Sequence, residues 1–160
     1  MRRAIRLSEQ VRRWLDSAAY LTLAFATLGV SAAAQGASAH KAPFVVVVNT
    51  GNPITAIDRE ALSRVFLKRV ATWPDGSAAE PVDLPSAEPS RIAFSKSVHK
   101  KPVGAVRAFW QQQIFSGRDL PPPEKTSDAD VISFVKANAG AIGYVSDAAI
   151  TAGVKVIVVE

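Results

Sequence analysis

The chain is 160 residues long, 48% hydrophobic and 21% charged, with no cysteine and a formal net charge of +5. That length amounts to one domain with room for a hydrophobic core. The lack of cysteine excludes a disulfide framework, so packing must hold the fold.

The charge is concentrated at the front. Arg2, Arg3, Arg6, Arg12 and Arg13 against Glu9 and Asp16 give residues 1–39 a net +3, which leaves +2 for residues 40–160. So small a surplus argues against nucleic acid as a partner. Residues 1–39 read as a cleaved signal peptide and residues 40–160 as the mature domain. A basic stretch is followed by the uncharged, mostly apolar or small residues 18–34, then by Ala37-Ser38-Ala39, an A-x-A cleavage site that would leave His40 at the new terminus. The alternative is a retained membrane anchor. A spanning helix needs about 20 strongly apolar residues, and this run is shorter and rich in Ala, Thr and Ser. The expected location is periplasmic or secreted.

Phe44 to Val48 is a continuous β-branched run, the pattern of a strand buried on both faces. Asn49 to Pro53 is turn chemistry. Asp58 is placed to cap a helix from Arg59 to about Lys68, with Ala61, Leu62, Val65 and Phe66 on one face. Trp73-Pro74-Asp75-Gly76 signals a turn, and Pro81 to Leu84 a short strand. A second helix is predicted from Pro89 or Ser90 to about His99, with Ile92, Phe94 and Val98 inward. A third starts near Pro102 and runs to about Phe115, burying Val106, Phe109, Trp110, Ile114 and Phe115. Gly117 ends it, and Pro121 to Pro123 force an extended connection. Ser127 with Asp130 resembles a capping box for a fourth helix to about Asn138, with Val131, Phe134 and Val135 inward and Gly140 capping its end. Ala141 to Val145 and Val154 to Val159 are the last strands, the final one buried by composition. Strands alternating with helices predict an α/β fold, a mostly parallel sheet flanked by helices. The first and last strands are the most apolar and are expected to be central.

Three features taken in order carry a family resemblance. Asn52-Pro53, then Val65-Phe66-Leu67 running to Trp73, then Gly140-Ala141-Ile142-Gly143-Tyr144-Val145 resemble the PstS-like, phosphate-binding branch of the periplasmic solute-binding proteins. That family has an Ile-Phe-Leu-Gly-Lys-Ile-Thr-Asn-Trp type stretch after a Val-rich strand and an Asn-Pro turn; Lys68 stands here where the family has Gly. The resemblance covers Phe44 to Val159 and implies a single lobe of the two-lobed type II fold. Trp73 reads as a core anchor.

The resemblance also implies a candidate anion site. Phosphate-binding relatives carry an Arg-x-Asp-x-Ser-Gly-Thr pattern before a helix whose Phe comes four residues after the Thr. Anchored on Phe94, Ser90 takes the Thr position, while Leu84, Ser86, Glu88 and Pro89 differ from the Arg, Asp, Ser and Gly. A helix N-terminus offers free N–H donors and a positive dipole end, and Arg supplies charge-assisted bonds. The candidate ligand residues are therefore Ser86, Ser90 and Arg91. Without the resemblance, Ser86 and Ser90 read as cap or turn residues and Arg91 as a solvated surface charge. Gly143 and Tyr144 are candidate cleft residues, Gly143 because a glycine inside a strand marks close approach.

The implied function is non-enzymatic binding of phosphate or a similar oxyanion, weak in one lobe because water stays in an unclosed site, or completed by a partner or a homodimer that supplies the second wall. The alternative is an interaction module that docks on an envelope transporter, porin or sensor. No catalytic, metal or cofactor motif is present: the histidines are His40 and His99 alone, and there is no H-E-x-x-H and no phosphate loop. Lys96, His99, Lys100 and Lys101 read as a solvated helix end whose cations suit the dipole, with a polyanion or membrane surface as the other reading.

Overall fold

The computed structural model describes residues 43–160. The predicted signal peptide, its cleavage site after Ala39 and the His40 terminus lie outside the described residues. Five strands, β1 (Phe44–Val48), β2 (Ala56–Ile57), β3 (Glu80–Pro81), β4 (Ala141–Ser146) and β5 (Lys155–Val159), form one sheet in the order β2-β5-β1-β4-β3. β2 runs parallel to β5 and β3 parallel to β4, while β1 is antiparallel to both β4 and β5. Four strands thus share one direction and the central β1 opposes them. The Val-rich run that predicts a buried strand lies at the centre, with Val46, Val47 and Val48 fully enclosed.

β5 is β1's neighbour, as the apolar pattern suggests, but it is not buried throughout. Ile157 joins the core, while Val156 and Val158 are 47% and 62% exposed. Successive strand side chains face opposite sides, and only the side carrying Ile157 joins the core here. β2, two residues long, gives no sequence signal and exists because β5 offers it an edge.

Helix α1 (Arg59–Phe66) starts as its sequence dictates: the Asp58 carboxylate accepts from the N–H groups of Glu60 and Ala61, satisfying donors that have no partner within the helix. It ends in a Schellman turn, Arg69 N donating to Arg64 O at 2.8 Å and Lys68 N to Val65 O at 3.0 Å. Lys68 occupies the left-handed position of that turn, at φ 51°. Where the resembled family has Gly, this chain has a lysine in the left-handed position. The chain then reaches Trp73, which is buried and donates its indole N–H to Gly140 O at 3.0 Å. The two sequence stretches that carry the resemblance are thus in direct contact.

Helix α2 (Pro89–Ser97) follows an N-cap, Glu88, whose side chain makes no capping bond. It buries Phe94 and leaves Ile92 51% exposed, contrary to the predicted stripe. α3 (Val103–Phe115) buries Val106 and Trp110, but Ile114 and Phe115 are 46% and 90% exposed. Its packing is mainly on α2, and its last turn runs past the core that would have covered them. α4 (Asp128–Ala137) is capped by Ser127 and buries Val131, Ile132 and Val135. Its last carbonyls are answered from the turn after β1, where Asn49 Nδ2 donates to Val135 O and Lys136 O. Gly140 is not that helix's cap. A Cβ there would overlap the Ala78 carbonyl oxygen, so glycine is required by close backbone approach.

Candidate functional site

The sequence-predicted site residues separate into two groups. The first is a buried polar cluster beneath α2. Asp83, just after β3, is 4% exposed and ion-pairs through Oδ2 with Nη1 of Arg91 in the first turn of α2. The Tyr144 hydroxyl donates to Asp83 Oδ1, which also accepts from Leu84 N at 3.0 Å. Arg91 Nη1 lies 3.4 Å from the same hydroxyl. The backbone of Asp83 is fixed as well, its N–H donating to Pro123 O and its carbonyl accepting from Lys125 N. Arg91 is 3% exposed, so it is neither a solvated surface charge nor an open ligand arm. Its charge is answered inside the protein by Asp83, as a buried charge requires.

Tyr144 stacks on Phe94, the ring centroids 3.9 Å apart, and is fully buried. Burial pushes its phenol well above the ordinary value, so it remains a protonated donor to Asp83. Gly143 is buried beside it, where a Cβ would stand 2.6 Å from Val131 Cγ1 and 2.9 Å from Val82 Cγ1. The close approach signalled by this glycine is thus core packing of α4 against the sheet. Neither residue reaches a cleft surface, because both are buried in β4.

Near the far end of α2, His99 is 7% exposed and its Nδ1 is 2.9 Å from Ser63 Oγ on α1. Burial, then the positive charges of Arg91 and Lys101, lower its pKa to about 4, so the ring is neutral at neutral pH. It belongs to the core and not to the solvated cluster the sequence suggests.

The second group is open. Ser86, Ile92, Lys96, Lys100, Lys101, Pro102 and Val103 line a groove of about 650 Å³ along α2 and the entry to α3. Lys100 stands at φ 55°, in the turn that closes α2, where Lys101 N donates to Ser95 O at 3.2 Å. None of the three lysines has an acidic partner among the described residues. Ser86 thus joins the lysines and parts from Arg91, and Ser90 is buried in the first turn of α2. Asp83 is the site residue that sequence reasoning missed. Its signal was a lone acid in the apolar run Pro81-Val82-Asp83-Leu84, ahead of an Arg on the next helix. Among the described residues, no group of three or more His, Asp or Glu could hold a metal ion, and no helix is long and apolar enough to cross a membrane.

A five-stranded sheet in the order described, with its four helices, is the fold of one lobe of a periplasmic solute-binding protein. The chain is similar to an ABC-type phosphate transport receptor from Vibrio cholerae, with 20% identity, a TM-score of 0.56, and coverage of 73% of this chain and 46% of the receptor. It is also similar to a protein assigned as a phosphate ABC transporter substrate-binding protein from Clostridium perfringens, solved with bound phosphate: 17% identity, TM-score 0.56, coverage 73% and 44%. A third is PstS from Borrelia burgdorferi, at 14% identity, TM-score 0.52 and coverage of 74% and 47%. The chain therefore spans less than half the length of each of these structures. No protein-family model matches the sequence, and no curated protein matches it. The resemblance read from the sequence and the solved structures agree on the fold.

Proposed function

We propose that this protein is an exported, non-enzymatic binding lobe for phosphate or a similar oxyanion. The observation that carries this reading is the open groove lined by Ser86 and by three lysines that have no acidic partner among the described residues. Ser86 supplies a hydroxyl and Lys96, Lys100 and Lys101 supply charge, while Ser90 and Arg91 are buried and do not line the groove. Arg91 acts by holding the start of α2 against Asp83. The lobes of phosphate-transport receptors give the fold-level support.

Calorimetric titration of the purified protein with phosphate, with sulfate as control, tests the reading. Saturable phosphate binding that Ser86→Ala with Lys96→Gln weakens is the expected result. No heat of binding at millimolar phosphate overturns it. Export is tested separately. Expression with the native N-terminus should give a periplasmic product that begins at His40, and a product that keeps residues 1–39 would refute the cleaved signal.

A second reading has its own observation. Phe115 is 90% exposed and Leu120 63%, more apolar surface than a solvated helix end needs. It suits docking on an envelope transporter, porin or sensor, or on a second copy of the chain. Phe115→Ser should then abolish that association and leave anion binding untouched.

A further inference from the structure

The groove beside α2 is built for more than a bare tetrahedral ion. Its volume is about 650 Å³, open to solvent on one side, and orthophosphate would fill a small part of it. Its lining has two chemistries. Lys96, Lys100 and Lys101 are cationic, and no acidic side chain lines the groove among the described residues. Ile92, Pro102 and Val103 are apolar, and Ile92 is 51% exposed within a helix whose other large apolar residue, Phe94, is fully buried. Ile92 and Lys96 are one helical turn apart on the same face of α2, so an apolar contact and a cation are presented side by side.

We propose that the ligand of this groove is a small organic phosphate monoester, its phosphate held by the lysines and Ser86 and its apolar substituent lying on Ile92, Pro102 and Val103. The inference rests on the oxyanion reading above and narrows it. Charge complementarity selects the anionic end: three lysines with no acid among the lining residues attract a doubly charged phosphate. The exposed isoleucine and the flanking Pro102 and Val103 select the other end, because covering apolar area removes it from water.

The test compares orthophosphate, n-hexyl phosphate and n-hexanol as ligands of the purified protein by calorimetry. Hexyl phosphate should bind roughly tenfold tighter than orthophosphate, the gain expected from burying a short alkyl chain in part, and hexanol should not bind measurably. Ile92→Ser, at a half-exposed position, should remove the hexyl advantage. Lys96→Gln should weaken both phosphates. Equal affinity for the two phosphates overturns this inference and leaves the oxyanion reading standing. A hexyl advantage that survives Ile92→Ser, or hexanol binding as well as hexyl phosphate, also overturns it. No binding of either phosphate overturns both.

Discussion

Removing Arg91 would leave the Asp83 carboxylate buried, with only the Tyr144 hydroxyl and the Leu84 amide to answer its charge. Breaking a buried pair from one side typically costs about 3–5 kcal/mol. Arg91→Ala should therefore lower the unfolding free energy on that scale in urea, while the double variant Asp83→Leu with Arg91→Met should recover most of the loss; a single variant as stable as the parent would show that the pair carries no weight. Arg91 is for this reason a poor probe of anion binding. Lys68 offers the opposite case. A non-glycine residue in the left-handed region is strained by about 1 kcal/mol or more, whereas its exposed contact with Asp119 at 3.4 Å contributes little. Lys68→Gly should raise stability by roughly 0.5–1 kcal/mol, read as a shift in the thermal midpoint. His99 gives a pH dependence. Its folded pKa of about 4 lies below the ordinary 6.5, so the unfolded chain binds the extra proton first. Its contribution is fully present above pH 6.5 and is lost as pH falls towards 4, on the order of 3 kcal/mol at most. His99→Gln should flatten the stability profile between pH 6.5 and 5, and an unchanged slope would place the acid sensitivity elsewhere.

At the scale of elements, the signals that could be read were those with local causes. Asp58 and Ser127 cap their helices because a short acceptor at that place satisfies free N–H groups whatever lies beyond. The Val run of β1 could only be buried. What could not be read was coverage. Ile92, Ile114, Phe115, Val156 and Val158 are apolar and periodic, yet exposed, because periodicity tells which side a residue faces and not whether another element reaches it. Gly140 and Gly143 show the same limit. Gly143 announces close approach while Gly140 reads as a helix cap, and only the packed chain shows that Gly140 meets the Ala78 carbonyl and Gly143 meets Val131 and Val82. Gly140→Ala faces rigid backbone and Gly143→Ala faces side chains that can shift. Both should destabilise, by about 1–3 kcal/mol, with Gly140→Ala the greater loss in denaturant titration. Equal effects would mean that the Ala78 strand entry yields as easily as a valine side chain.

At the largest scale, the oxyanion reading places the ligand in a groove that the described residues leave open to water. Charges facing solvent are screened by salt, and an anion held on one wall gains little from exclusion of water. Phosphate affinity should therefore lie near the millimolar scale and fall several-fold when ionic strength rises from about 0.01 to 0.1 M, as the screening length shrinks from about 30 to 10 Å. A salt-independent, micromolar affinity would instead point to a closed site, formed with a second copy or a partner.

The sequence by itself determined the α/β class, the central Val strand and the helix starts. All of these follow from local chemistry: capping, branching, turn residues and apolar runs. Only the tertiary structure decided what the charged residues do. Arg91 was turned inward because Asp83, from a different strand segment, stands beneath it. Lys96, Lys100 and Lys101 line an open groove and have no acidic partner among the described residues. An ion pair depends on where two distant parts of the chain meet, and spacing along the sequence does not contain that distance.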